Sequence, residues 1–285
     1  LPISLQAELS FQNTVGDYTL AVAQREGVSA LRAGAWKVTV AVHAGKQIIA
    51  VWPGFKEHVY GLAVDVGSTT IAAHLCNLTT GEVVASSGAM NPQIRFGEDL
   101  MSRVSYSMMN PGGAEQMTAA VRQALSELAM DVARDAGIEA SDILEMTVVG
   151  NPIMHHLLLG ISPVELGGAP FALATDSALT LWATEIDFAI HRNARIYVLP
   201  CIAGHVGADT AAVILSEGPH RSDSLQLLVD VGTNRNPLMP PPFRNVEYTS
   251  VAPGGATETT TREVFTHHGH LFITRGGPKV AGILN

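Results

Sequence analysis

The sequence predicts an α/β domain built as a duplication, preceded by a small α+β unit. Three observations predict it. Three short strand-like segments begin at Tyr60, helical and strand-like segments alternate after them, and a second apolar strand, "LQLLVDVG" from Leu225, repeats the chemistry of the first, "YGLAVDVG". An antiparallel start followed by alternating helices and strands indicates an α/β domain, and its restart points to a duplication.

Residues 1–57 mix strand-like pieces with one helical stretch. The alternation in "WKVTVAV" from Trp36 and the apolar run "QIIAVWPG" ending at Pro53-Gly54 read as strands, and "YTLAVAQREGVSALRAG" as the helix between strands. This unit is expected to be a linker or docking module without chemistry of its own. From Tyr60, "YGLAVDVG", "TIAAHLCNL" and "GEVVASSGAM" predict an antiparallel meander with turns at "GST" and "TTGE". "GEDLMSRVSYSMM" and "GAEQMTAAVRQALSELAMDVARDAG" predict helices. The second gathers Met117, Ala120, Val121, Leu125, Leu128 and Val132 near one face and offers Gly137 as its stop. "ILEMTVVG" is then a buried strand, "PIMHHLLLG" a helix, "ARIYVLPCIAG" a strand and "GADTAAVILSEG" a helix, before "LQLLVDVG" opens the second strand set.

Composition bounds the function. The 285 residues are 47% hydrophobic, enough for a large core, and length alone suggests two domains. Only 15% are charged, which argues against disorder. The net charge of −9, with no Lys/Arg block, excludes duplex nucleic acid as an expected partner, because phosphate neutralisation needs clustered cations. Two cysteines, Cys76 and Cys201, can make neither a disulfide framework nor a cluster held by four thiolates, and so low a count suits a reducing cytoplasm. No apolar run reaches the roughly 20 residues of a membrane span, so no membrane partner is expected. No basic stretch followed by an apolar core opens the chain, so no signal peptide is expected. The chain starts at Leu1 rather than Met and is expected to be a fragment of a longer protein.

The two Asp-x-Gly segments carry the chemistry. An aspartate at a strand end, facing a cleft, can hold Mg²⁺ directly or through its waters while phosphates complete the shell. The glycine lets the backbone turn tightly and approach a phosphate. Ser and Thr hydroxyls and the turn N–H groups then donate to phosphate oxygens. One Asp-x-Gly alone is most simply a hairpin turn. Two copies, each after an apolar strand and each followed by Thr, favour a pair of hairpins clamping one polyphosphate with a metal between the carboxylates.

"LAVDVGSTT" and "LLVDVGTN" resemble the phosphate-1 and phosphate-2 segments of the superfamily of sugar kinases, heat-shock ATPases and actin. "NPQIRFGEDLMSRV", "VVGNPIMHHLLLGISPVEL" and "LPCIAGHVGADTAAVI" narrow the resemblance to the ATP-dependent reductive activators of corrinoid proteins, over about residues 60–234, and residues 1–57 resemble that family's middle domain. The resemblance implies a duplicated actin-like ATPase domain of the ribonuclease H-like kind over 58–285, after a small α+β middle or linker domain over 1–57. It implies a protein that reduces the cobalt(II) corrinoid of a partner to cobalt(I) at the expense of ATP. A full-length member also resembles a ferredoxin carrying a two-iron two-sulfur cluster. That cysteine run is absent here, so this chain is not expected to hold the cluster.

Site expectations follow. Asp65 and Asp230 are expected to hold Mg²⁺ through water. Gly67, Ser68, Thr69 and Thr70 in one turn, and Gly232, Thr233 and Asn234 in the other, are expected to bind the ATP phosphates. Asp209 in "GHVGAD" is expected to orient the attacking water, its plainer role being a helix cap. The expected partner is a corrinoid protein, with a second copy of the chain as an additional one. A small-molecule kinase of the same superfamily and a nucleotide-gated scaffold without turnover are the alternatives.

One departure stands out. After "VDVGTN" the family pattern continues with a glycine, an acidic residue and more strand, whereas this chain reads "RNPLMPPPFRN", and proline cannot continue a central strand. Only 51 residues follow Asn234, so the second half is expected to be incomplete after 234. Asn91, Gln93, Glu98 and Asp99 are candidates for either function or helix capping. His155 and His156 are expected in a helix as hydrogen-bonded rather than metal-binding residues, Cys201 as a buried free thiol, and "TTTREVFTHHGHLF" as a surface loop.

Overall fold

The structure is a computed structural model. It describes residues 14–15, 18–22 and 24–217, together with the backbone of strands between 226 and 284. The first unit holds β1 (Thr14–Val15), β2 (Tyr18–Leu20), α1 (Gln24–Ala33), β3 (Val38–His43) and β4 (Gln47–Pro53) in one sheet of order β1-β2-β4-β3. Here β2 runs parallel to β4, and β3 pairs antiparallel to it. The "YTL" end of the stretch expected to be helical is strand β2, and α1 starts only at Gln24.

The second unit is built on a six-stranded sheet of order β7-β6-β5-β8-β10-β9. Its strands are β5 (Tyr60–Val66), β6 (Thr70–Asn77), β7 (Val83–Met90), β8 (Ile143–Gly150), β9 (Leu179–Trp182) and β10 (Arg195–Val198). The meander is antiparallel, as its turn signals require, while β8 runs parallel to β5 and β10 parallel to β8. Strand β9, antiparallel to β10 at the edge, was not expected, and the strand expected from "ARIYVLPCIAG" stops at Val198, before Pro200.

Alternation along β5, β6 and β8 sends Leu62, Val64, Val66, Ile71, Ala73, Leu75, Met146 and Val148 into one continuous core. Helix α3 (Gly113–Asp135) covers that face. Its stripe Met117, Ala120, Val121, Leu125, Leu128 and Val132 is buried as its spacing requires, and the chain leaves it through Gly137 at φ +70°. Helix α2 (Leu100–Met109) begins where Asp99 accepts the Ser102 N–H at 2.7 Å. Helix α4 (Pro152–Leu159) begins where Asn151 Oδ1 accepts the Ile153 and Met154 N–H groups at 3.1 and 3.0 Å, with Pro152 in its first turn. Helix α5 (Ala208–Glu217) contributes Ala208 to a separate small core with Leu199 and Cys201.

The two units share a core of Ile49, Ala50 and Leu144, flanked by Trp52, Val59 and Trp182. Three polar contacts add to it: Asn193 Nδ2 to the Ile49 carbonyl at 3.1 Å, Lys56 to Asp142 at 2.8 Å, and His43 to Glu145 at 3.0 Å.

A third, five-stranded sheet of order β11-β12-β13-β14-β15 comprises β11 (Gln226–Asp230), β12 (Phe243–Val251), β13 (Thr257–His267), β14 (His270–Ile273) and β15 (Ile283–Leu284). All of its pairings are antiparallel. Strands β11 to β13 pair antiparallel in succession, and the described residues then continue with the antiparallel strands β14 and β15. Of "TTTREVFTHHGHLF", expected as a surface loop, residues 259–267 lie instead in β13 and residues 270–272 in β14; their Thr, Val and Phe content suits a pleated strand.

Candidate functional site

Strands β5 and β8 are parallel neighbours, so their carboxyl ends lie together, with Asp65 opposite Val149 and Val66 opposite Gly150. That end is where open α/β sheets bind ligands. Three turns meet there, and glycines let them meet. A Cβ on Gly67 would stand 2.5 Å from the Thr70 carbonyl oxygen, one on Gly150 2.8 Å from the Val66 carbonyl oxygen, and one on Gly207 2.5 Å from the Gly150 carbonyl oxygen and 2.6 Å from Asp209 Oδ1. The turn after β5, the "GNP" turn after β8 and the "GHVGAD" turn before α5 therefore pack backbone against backbone. Sequence reasoning placed Asp65 and Asp209 in one site, and the structure brings their turns together. It passed over Gly150 and Gly207, whose signal was a glycine at the end of a strand and at the start of a helix.

Asp65, Thr69 and Thr70 are exposed, Gly67 and Asp209 half-buried, and Ser68 buried. Asp65, Ser68 and Asp209 are each engaged in further interactions. Asp209 sits in the first turn of α5, where its Oδ1 accepts the Thr210 N–H at 2.7 Å. Asp230 closes β11 opposite Glu247, while Gly232, Thr233 and Asn234 lie outside the described residues.

Beneath the Gly67–Thr69 turn lies a platform of three fully buried polar side chains, Asn91, Gln93 and Arg103. Asn91 Nδ2 donates to the Gly67 carbonyl at 2.8 Å, Arg103 Nη2 to the Ser68 carbonyl, and the Asn91 N–H to the Thr69 carbonyl at 2.8 Å. Three successive carbonyls are thus held from within. In a trans peptide the N–H lies antiparallel to the preceding C=O, so the N–H groups of Ser68, Thr69 and Thr70 turn away from the platform. Arg103 also donates through Nε to the Gly97 carbonyl at 2.9 Å, and through Nη1 to Gln93 Oε1 at 3.4 Å and Met154 Sδ at 3.2 Å. Gln93 in turn donates to the Met117 carbonyl at 3.0 Å. Burial brings the Arg103 guanidinium down to about 10, partly offset by Asp99. Asn91 and Gln93 were candidates from the sequence; Arg103 was not. Its signal was a lone cation beside Val104 in a helix, and its burial depends on residues far along the chain. Asp99 serves as the α2 cap, and Glu98 is exposed.

His155 and His156 are both buried, with Nδ1 atoms 3.4 Å apart, and His156 Nε2 accepts the Ala174 N–H at 3.0 Å. Burial first, then the neighbouring His156, brings His155 down to about 4. Cys201 is a buried free thiol pushed up to about 11 by burial, so it is not a thiolate near neutral pH. Two cavities among the described residues, about 280 and 570 Å³, lie along α3. No group of three or more His, Cys, Asp or Glu side chains among the described residues is placed to hold a metal. Magnesium asks for less, since one or two carboxylates suffice when phosphates and water complete its shell. An exposed Asp65 beside outward-facing amides fits a magnesium–polyphosphate pair.

Fold and turns together define an α/β protein with a glycine-bearing turn, its carbonyls tied inward, at the carboxyl edge of its sheet. Residues 60–222 match the family described as the RACo middle region, and residues 7–58 the one described as the RACo linker region. The chain belongs to the RACo middle-region family, in keeping with the activators that "NPQIRFGEDL" and "GNPIMHH" resemble, and the matched middle region is 60–222 rather than 1–57, where the resemblance had put it. The corrinoid activation enzyme RamQ of Eubacterium limosum is 33% identical over 193 residues, which is 67% of this chain and 32% of that protein. The solved structure of a reductive activator for corrinoid, iron–sulfur protein matches with a TM-score of 0.74 at 28% identity, over 88% of this chain and 39% of that one. The chain spans well under half the length of either relative.

Proposed function

We propose that this chain is the nucleotide-binding part of a reductive activator, in which Mg-ATP drives reduction of a partner's corrinoid from cobalt(II) to cobalt(I). The observation that carries the reading is the Gly67–Thr69 turn, its three carbonyls tied inward and its amides turned out beside Asp65, in a chain whose relatives are named for corrinoid activation. Thr69 and Thr70 and the outward amides hold phosphate oxygens, with Ser68 shaping the turn from its buried position. Asp65, with Asp230 from the second strand set, holds magnesium through water. The metal, when bound, neutralises phosphate charge. Asp209, at the start of α5 and against the Gly150 turn, orients the water that accepts the γ-phosphoryl group. Residues 58–285 form the ATPase-like domain, with β11 to β13 the start of its second half, and residues 1–57 the linker that ties it to the electron-donating domain. One electron passes from an iron–sulfur donor to cobalt. ATP can favour that transfer only by binding one conformation more tightly than another, so closure of the turns on nucleotide is the coupling step.

The test is the fate of the γ-phosphate across a panel of sugars, organic acids and corrinoid proteins. Release to water, with no acceptor labelled, is expected. Labelled phosphate on a sugar or acid would make the protein a kinase, and tight ATP binding without turnover on any partner would make it a scaffold.

A further inference from the structure

Arg103 is fully buried, yet no carboxylate of the described residues lies within ion-pair reach of it. Its hydrogen-bond acceptors are neutral: the Gly97 and Ser68 carbonyls, Gln93 Oε1 and Met154 Sδ. The acid that bears on it, Asp99, is committed to capping α2. A buried cation without a partner is costly, and such groups are normally paired. This one ends on the Ser68 carbonyl, whose peptide partner is the Thr69 N–H turned out toward the candidate phosphate site. Hydrogen bonds in series polarise one another, so a cation on the carbonyl makes that N–H a stronger donor.

We propose that Arg103 is the positioning residue of the phosphate turn, a buried positive charge whose counter-anion is the bound polyphosphate, reached through the Ser68–Thr69 peptide. The arginine does not touch the ligand. It holds the turn open side out and supplies the charge that a glycine-bearing turn, with hydroxyls and amides alone, lacks. The proposal rests on the nucleotide reading of the same turn. It adds the source of the site's positive potential and an expected order of affinity that follows ligand charge.

Calorimetric titration of AMP, ADP, ATP and inorganic tripolyphosphate tests it, on the unaltered protein and on Arg103→Gln, Arg103→Lys and Gln93→Glu, each checked by thermal melting. Arg103→Gln is expected to weaken ATP and tripolyphosphate on the order of tenfold, ADP less and AMP least, because the lost Coulomb energy scales with ligand charge. Arg103→Lys should keep most of the affinity. Gln93→Glu leaves the arginine in place but sets a carboxylate against Nη1, so it should reproduce the graded loss, and it carries the test if Arg103→Gln does not fold. Equal losses along the series, or none, would overturn the proposal and reduce Arg103 to a structural residue. Arginine-dependent binding of tripolyphosphate without binding of ATP would sustain the proposal and overturn the nucleotide reading. Binding of no anion would overturn both.

Discussion

At the scale of single residues, the proposed site depends on a carboxylate that can be changed without disturbing the fold and on glycines that cannot. Asp65 is exposed at the end of β5, so Asp65→Asn should shift stability by no more than about 0.5 kcal/mol while weakening Mg-ATP binding tenfold or more. Calorimetry showing unchanged affinity would remove Asp65 from the site. Gly207 is the opposite case. An alanine there places a Cβ 2.5 Å from the Gly150 carbonyl oxygen, backbone that cannot swing away. Gly207→Ala should cost about 1–3 kcal/mol in a denaturant melt and also lower nucleotide affinity, because the turns must separate. The turn from Asp65 to Thr70 was legible in the sequence because an Asp-x-Gly turn after an apolar strand is a local pattern. Arg103 was not, because its role depends on Gln93, Ser68 and Met154, which only the tertiary fold brings to it.

At the scale of elements, helix α4 joins the site to the core and makes the protein acid-sensitive. His155 falls from 6.5 to about 4 on folding, so the folded state keeps it neutral while the unfolded chain takes up a proton below 6.5. Its contribution is complete above pH 6.5 and is lost as pH falls toward 4, amounting to about 2 kcal/mol once solvent screening is allowed for. Melting temperatures should therefore fall across that window, and His155→Phe should fall less steeply than the unaltered protein; parallel curves would show that His155 does not set the slope. In α3, Leu125 is 1% exposed, and Leu125→Ala should cost about 2–5 kcal/mol by equilibrium denaturation. The long elements were legible because periodicity accumulates over many residues: the stripe of α3 and the alternation of β5 are examples. Strand β9 was not, since four residues carry too little alternation to stand out from the loops around them. In strand β13 the β-branched run at residues 259–261 favours a strand, whereas the irregularly spaced histidines after it resemble a loop.

At the scale of the whole molecule, the first unit leans on the six-stranded sheet through Ile49, Ala50, Leu144 and the Asn193, Lys56 and His43 contacts. That packing joins residues nearly 150 positions apart and leaves no local trace, so the sequence indicated two units but not how they touch. The meander and the alternation after it were legible, but the strand order was not, since it depends on which strands pair across the helices; the observed order places the Gly67–Thr69 turn, the "GNP" turn and Asp209 at one edge. Under the proposed function, cleft closure is the step at which a partner acts, and a corrinoid protein that completes the closed state should accelerate turnover. The most direct measurement is phosphate release from ATP with and without a corrinoid protein held in its cobalt(II) state. Slow release alone that rises severalfold when the cobalt(II) protein is added, with phosphate appearing in water, is the predicted result. A rate indifferent to the corrinoid protein would contradict the proposed function.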